Sequence, residues 1–314
     1  MIRLAIVCPC YNEEAVIENS AEQLRGLIAR LSAEGKITAD SYVLLVNDGS
    51  RDRTWQLIKK LHESDATHFK GLDLAHNAGH QKAILAGMLT AVETADAVVT
   101  IDVDLQDDIE AIGKMVDAYE QGYDVVYGVK VSRKADPAMK RLTAVAFYKL
   151  QRKLGVETVY NHADFRFMSR RVVEELARYE ERNLFLRGII PLIGFRSTTV
   201  DDVIGERQAG ESKYTVSKML TLALNGITSF SVKPIYSILS TGLVFVFVAI
   251  GIGLYVMWSL FTGTAEHGWA SLMLSIWFVG GMILLAIGVV GLYVGRIFIE
   301  VKRRPMYHIS EKLM

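Results

Sequence analysis

Net charge is absent: Lys plus Arg and Asp plus Glu stand at 35 each across 314 residues. That balance gives no electrostatic argument for a nucleic-acid partner. Between Pro234 and Gly295 the sole charged residue is Glu266, which excludes an ordinary soluble domain there. Cysteine is scarce, and Cys8 and Cys10 flank a single proline. A lone Cys-x-Cys lacks a second ligand pair for zinc, so reduced thiols in a cytoplasmic setting are expected. The start, "MIRLAIVCPC", meets polar "YNEE" too soon to form the apolar region of a signal peptide. Internal repeats, low-complexity tracts and glycine-serine linkers are also missing.

What is present is apolar. Hydrophobic residues make up 51% of the chain, and the mean hydropathy is +0.23. One long run begins at Pro234 and a second at Trp269, joined by "TGTAEHG". Each exceeds the roughly 20 residues a helix needs to cross a bilayer. A transmembrane hairpin is therefore expected at about 235–261 and 269–294, within a C-terminal part spanning 233–314; a buried apolar helix pair is the alternative. Lys233 precedes the first run, and Arg296, Lys302, Arg303 and Arg304 follow the second. The positive-inside rule then puts both ends and the N-terminal portion on the cytoplasmic side of the cell membrane. Tyr255, Trp258 and Trp269 fall near the outer ends, where amphipathic rings favour the interface.

Before the hairpin, residues 213–232 change character. Val216, Met219, Leu220, Ala223, Leu224 and Ile227 recur at helical spacing, with Lys213 and Lys218 on the more polar side. Such a helix either lies among lipid headgroups or packs on a sheet.

Residues 1–212 alternate short apolar runs with helix-period stretches. "RLAIVCP", "SYVLLVND", "FKGLDLA", "DAVVTID" and "YDVVYGV" read as strands; residues 14–31 and a stretch from Thr54 read as helices. Near-continuous apolar strands in this alternation predict an α/β fold with a mainly parallel sheet. Ligands of such sheets bind beyond the carboxyl ends of the strands. There the polar clusters "YNEE", "NDGS", "HNAGHQK" and "DVDLQDD" fall. The last of these crowds four aspartates, and clustered carboxylates raise one another's pKa. Two readings fit: a solvated turn whose Asp107 and Asp108 begin a helix, or a divalent metal site. In extended chain Asp102 and Asp104 share a face, and Gln106 adds a neutral oxygen of the kind hard ions accept.

In order, "PCYNEE", "NDGS", "NAGHQKAILAG" and "DVDLQDD" resemble the inverting family-2 glycosyltransferases, which have a nucleotide-sugar-binding GT-A fold. "RNLFLRGIIPLIGF", "ERQAGESKY" and the C-terminal hairpin narrow the resemblance to polyprenyl-phosphate glycosyltransferases. "GESKYTVSKMLTLALNGITSFSVKP" is most similar to the bactoprenol glucosyltransferase branch, with dolichyl-phosphate mannose synthases as relatives. A cellulose-synthase-like protein is disfavoured, since no Gln-x-x-Arg-Trp occurs.

The resemblance implies roles residue by residue. Pro9, Tyr11, Glu13 and Asp48 would hold the donor nucleoside. Asp102 would lie near the donor ribose and metal, with Asp104 and Gln106 as metal ligands. Arg207, Ser212 and Lys213 would close over the diphosphate, and Asp164 would lie near the reacting centre. Together Asp102, Asp104 and Asp164 are the implied catalytic set. The acceptor phosphate would be held by Lys130 and Arg133 or by Lys140 and Arg141. Implied too are Mg²⁺ or Mn²⁺, UDP-glucose as donor, undecaprenyl phosphate as acceptor, and a lipid bilayer. GDP-mannose, UDP-N-acetylglucosamine or an aminoarabinose donor stay open, as does a membrane-anchored nucleotide-sugar-binding protein without turnover. Small residues in "GGMILLAIG" offer a surface for helix packing between protomers of a homo-oligomer.

Overall fold

Four apolar segments build the centre of the sheet: β1 (Leu4–Cys10), β2 (Tyr42–Asn47), β3 (Phe69–Leu74) and β4 (Ala97–Thr100). They pair in parallel in the order β4-β1-β2-β3. Every residue of β1, β2 and β4 is buried, as in a sheet covered on both faces. The computed structural model describes residues 1–130, 162–182, 184–202, 233–262 and 268–314.

Helices α1 (Ile17–Ala33), α2 (Thr54–Ser64), α3 (His80–Ala91) and α4 (Ala111–Glu120) alternate with the strands. In α1 the buried residues Ile17, Ala21, Leu24, Ile28 and Leu31 recur every three or four positions, so one stripe meets the core. Most of α3 is buried. A side chain at Gly87 would run into Val7 of β1 and come within 2.8 Å of Val46 Cγ2 in β2. Glycine is what lets this helix lie so close to the sheet. Cys8 and Cys10 are free and buried in β1, and burial pushes both thiols up.

The other half of the sheet departs from the sequence pattern. β5 (Val125–Lys130) and β6 (His162–Ser169) precede short helices α5 (Arg170–Leu176) and α6 (Leu186–Leu192), then β7 (Ser197–Asp202). β6 inserts antiparallel between β4 and β5, while β7 runs parallel to β5. The sheet is thus mainly parallel with antiparallel insertions. β6 was hidden because "HADFRFMS" carries Asp164 and Arg166 within a strand whose Phe165 and Phe167 are buried.

Two long helices follow, α7 (Lys233–Thr262) and α8 (Trp269–Lys302). The Phe245 and Phe278 rings of this pair lie 5.4 Å apart. Among the described residues, one stretch, Phe278–Lys302, is long and apolar enough to cross a membrane. α8 ends at Arg303, which takes the left-handed conformation at φ 46°.

The last residues do not trail away. The sequence attaches the tail only to the hairpin, yet β8 (Ile309–Leu313) pairs antiparallel with β3 at the sheet edge. The full order is β7-β5-β6-β4-β1-β2-β3-β8. Among the described residues, 1–130, 162–202 and 304–314 form one compact unit and 233–303 another. The expected boundary at 212–213, the amphipathic stretch 213–232 and Glu266 in the link lie outside the described residues.

Candidate active site

β1 lies between β2 and β4, so the sheet's connections reverse direction beside it, and that is where open α/β sheets bind ligands. The chain leaves β1 through Asn12, held at φ 55°. Its N–H donates to Ser50 Oγ at 2.9 Å, its Oδ1 accepts from Arg51 N at 2.8 Å, and Glu13 N donates to Thr54 Oγ1 at 2.9 Å. These bonds stitch "YNEE" to "NDGS". Pro9 is buried in β1, Tyr11 is exposed just beyond it, and Glu13 is half-buried.

Asp48, at the end of β2, is 3% exposed. Its carboxylate accepts from Ala78 N at 2.7 Å and Gly79 N at 3.1 Å. Those donors lie just ahead of α3, so Asp48 does the work of a cap delivered from another strand. Burial raises its pKa, and the two N–H groups oppose the rise. Gly49 has φ 63°, and a side chain there would sit 2.5 Å from Asn77 N and 2.6 Å from the His76 carbonyl carbon. The turn after β2 and the loop 76–79 therefore support each other.

Beyond β4 the chain stays anchored by alternate residues. Ile101 and Val103 are buried, and buried Ser20 donates from Oγ to the Val103 carbonyl at 2.5 Å. Alternation then turns Asp102 and Asp104 outward. Leu105, at φ 46°, reverses the chain. Gln106 N donates to Asp104 Oδ1 at 3.4 Å and Gln106 Nε2 to Oδ2 at 2.5 Å. All three expected metal ligands thus occupy one turn. Next along, Asp107 is buried and pairs with Lys130 Nζ at 3.1 Å. Asp108 N donates to Asp202 Oδ1 at 2.8 Å. Burial and then Asp202 push Asp107 up to about 6, against the pull of Lys130.

Asp164 stands on β6. Its backbone carbonyl accepts from Thr100 Oγ1 at 2.5 Å, tying β6 to the end of β4. Arg166, two residues on and so on the same strand face, reaches Asp164 Oδ1 at 2.5 Å. Arg187 of α6 adds a bidentate contact at 3.1 and 2.9 Å. His80, the first residue of α3, lies with Nε2 3.6 Å from both Asp102 Oδ1 and Asp164 Oδ2. Burial alone would raise Asp164, but Arg187, His80 and Arg166 hold its carboxyl well below the usual range. Burial works against charge on His80 as well, yet the nearby carboxylates of Asp164 and Asp102 raise it.

Asp102 is pushed up to about 6 by the protein around it, then by Asp164, Asp107 and Asp104, against His80. Half of its side-chain surface faces solvent, so that crowding acts from one side. Among the described residues, no three His, Cys, Asp or Glu side chains converge to hold a metal alone. The turn still fits a hard divalent ion that takes its other ligands from water and diphosphate oxygens. Its side chains present oxygen to the cleft, and the neighbouring carboxylates add to the burial that raises Asp102.

His80 and Arg187 are absent from the site residues read from sequence. One signal was available for His80: a histidine opening a helix meets the positive end of the dipole and calls for nearby acid. Of the expected phosphate ligands, Lys130 is engaged with Asp107. Arg133, Lys140, Arg141, Arg207, Ser212 and Lys213 lie outside the described residues.

Residues 5–177 match the model of Glycosyl transferase family 2. The chain is 50% identical over 311 residues to the Bacillus subtilis (strain 168) uncharacterized glycosyltransferase YkoT, covering 98% of this chain and 91% of that protein. It is 40% identical over 315 residues to the bactoprenol glucosyl transferase of Shigella phage SfII, covering 99% and 98%. A prophage bactoprenol glucosyl transferase homolog from Escherichia coli (strain K12) is 39% identical, with 98% and 99% covered. With its mainly parallel, GT-A-like α/β sheet and a match across more than half its length, the chain belongs to glycosyl transferase family 2.

Proposed function

We propose that this protein transfers glucose from UDP-glucose to undecaprenyl phosphate, with inversion, at the cytoplasmic face of the membrane. The observation that carries the reading is the Asp102–Asp104–Gln106 turn facing the His80–Asp164 cluster where the sheet reverses. The near full-length likeness to bactoprenol glucosyl transferases supports the acceptor and the sugar.

Pro9, Tyr11 and Glu13 take the nucleoside, and Asp48 shapes that side of the cleft by fixing the loop ahead of α3. Asp102, Asp104 and Gln106 would hold Mg²⁺ or Mn²⁺, which as a Lewis acid offsets the charge growing on the leaving diphosphate. Arg207, Ser212 and Lys213 close over that diphosphate. Either Lys130 and Arg133 or Lys140 and Arg141 hold the acceptor phosphate at headgroup level. A phosphate monoester has its second pKa near about 6, so the nucleophile arrives largely ionised. It needs no strong base, and Asp164 is a poor one: two arginines keep it ionised. Its part is to orient His80 and the arginines around the reacting centre.

The membrane reading extends to both long helices. Among the described residues, 1–130, 162–202 and 304–314 contribute to one unit, so the chain that joins 202 to 304 leaves and returns to the same side. If α8 crosses the bilayer, α7 crosses it as well. Lys233, Arg296, Lys302, Arg303 and Arg304 set the cytoplasmic side. In a background without Cys8 and Cys10, an impermeant thiol reagent on intact cells is expected to label His267→Cys and spare Ser310→Cys. Labelling at 310 but not 267 would reverse the orientation.

The function is tested on purified protein with undecaprenyl phosphate and a panel of nucleotide sugars. UDP-glucose is expected to give the glucosylated lipid. Turnover with GDP-mannose alone would make the protein a mannose synthase, and binding without turnover a non-catalytic member.

A further inference from the structure

We propose that the C-terminal strand β8 is a positioning element of the active site, bracing the loop 76–80 through Ala75. An edge strand such as β3 leaves a row of backbone groups open. Here the tail fills that row, with Gly71 opposite Leu313, Leu72 opposite Lys312 and Asp73 opposite Glu311. The register shifts between Asp73 and Leu74, and the pairing continues past the shift: Ala75 N donates to the His308 carbonyl at 2.9 Å.

The strand is held firmly for its length. Glu311 accepts from Trp55 Nε1 at 3.3 Å and pairs with Lys59 at 2.7 Å. Lys312 pairs with Glu93 at 2.7 Å, and Leu313 packs against the core. A side chain on Gly71 would come within 3.1 Å of Leu313 Cδ1, so glycine keeps room for the tail.

What the tail holds is the root of the site loop. Ala75 leads into His76, whose backbone abuts Gly49, then into Ala78 and Gly79, whose N–H groups are bound by Asp48. His80 follows, midway between Asp102 and Asp164. The loop is thus suspended between two anchors, Asp48 at one end and His308 at the other. Gly79, at φ 97°, takes the turn that leads from the loop into α3. Releasing β8 removes one anchor and lets His80 drift from both carboxylates. The inference rests on the reading that loop 76–80 serves the transfer reaction.

The test uses the full chain with Glu311→Ala and Leu313→Ala combined, which loosens the strand without touching the cleft. Hydrogen exchange of the peptide containing Ala78 and Gly79 is expected to accelerate. In the same protein kcat is expected to fall roughly 10- to 100-fold, the scale for displacing a positioned group by about 1 Å, with the acceptor KM unchanged. A chain ending at Arg304 should lose turnover likewise and regain it when a peptide of residues 305–314 is added. Unchanged exchange and kcat overturn the proposal. So does inactivation that tracks global unfolding without rescue by the peptide, because the strand would then be merely structural. Faster exchange with unchanged kcat overturns the loop's role in the reaction while leaving the brace itself visible, which separates the two readings.

Discussion

An Asp104→Asn variant is expected to fold like the wild type and to lose transfer by on the order of a thousandfold, the scale for removing a group that stabilises developing charge. Folding survives because the side chain's hydrogen bonds are local, to Gln106 N and Nε2. The asparagine oxygen keeps one of those bonds, and its NH2 can donate to the Gln106 carbonyl once that amide turns over. What disappears is a negative oxygen facing the cleft, and hard divalent ions depend on such oxygens. EDTA is expected to silence the wild type, and Mg²⁺ or Mn²⁺ to restore it. Sugar incorporation into the lipid fraction reads both arms, with a melting curve as the control for folding. Undiminished transfer by the variant, or by wild type stripped of metal, would remove this turn from the chemistry.

Asp164→Asn is expected to damage stability as well as turnover. Arg166 is 1% exposed and Arg187 about a quarter exposed, and both lose their countercharge. Removing one partner from a buried ion pair costs about 3–5 kcal/mol, which lowers Tm by on the order of 10 °C in a domain of this size. The pH dependence follows from the depressed pKa of Asp164. Its stabilisation is complete above the ordinary carboxylate value, near about 3.9, and fades only as pH falls towards the lower folded value. The whole cost of the variant is therefore felt at neutral pH. Pairing Asp164→Leu with Arg166→Met removes the most deeply buried pair and leaves only the quarter-exposed Arg187 without its partner, so it is expected to recover part of the Tm but none of the turnover. Recovery of turnover in that double variant would make Asp164 a structural residue only. Wild-type Tm and turnover in the single variant would dissolve the cluster as described.

The residues legible in sequence share one property: their signal is local. β1 to β4 announce themselves as short apolar runs because both of their faces are covered. Asp102, Asp104 and Gln106 stand out because acid at the end of a buried strand needs a reason. β6 gave no such signal, since its Asp164 and Arg166 satisfy each other inside the sheet. β8 gave none either, as "ISEKL" takes strand form from the edge of β3 that it completes.

From its residues alone, this chain determines an alternating α/β domain, an apolar C-terminal segment and an acidic turn beyond the fourth strand. Those features follow from patterns spanning a few residues, where burial and periodicity leave little choice. Only the tertiary structure decided that His80, Asp102, Asp164 and Arg187 meet at one point. They come from two helices, a turn and a strand, and no spacing rule links them. Their meeting depends on β6 entering antiparallel beside β4, which brings Asp164 to the strand ends where the acidic turn begins. Tertiary pairing likewise folded the tail back onto β3, because an open sheet edge supplies hydrogen-bonding partners that a short polar segment does not specify for itself.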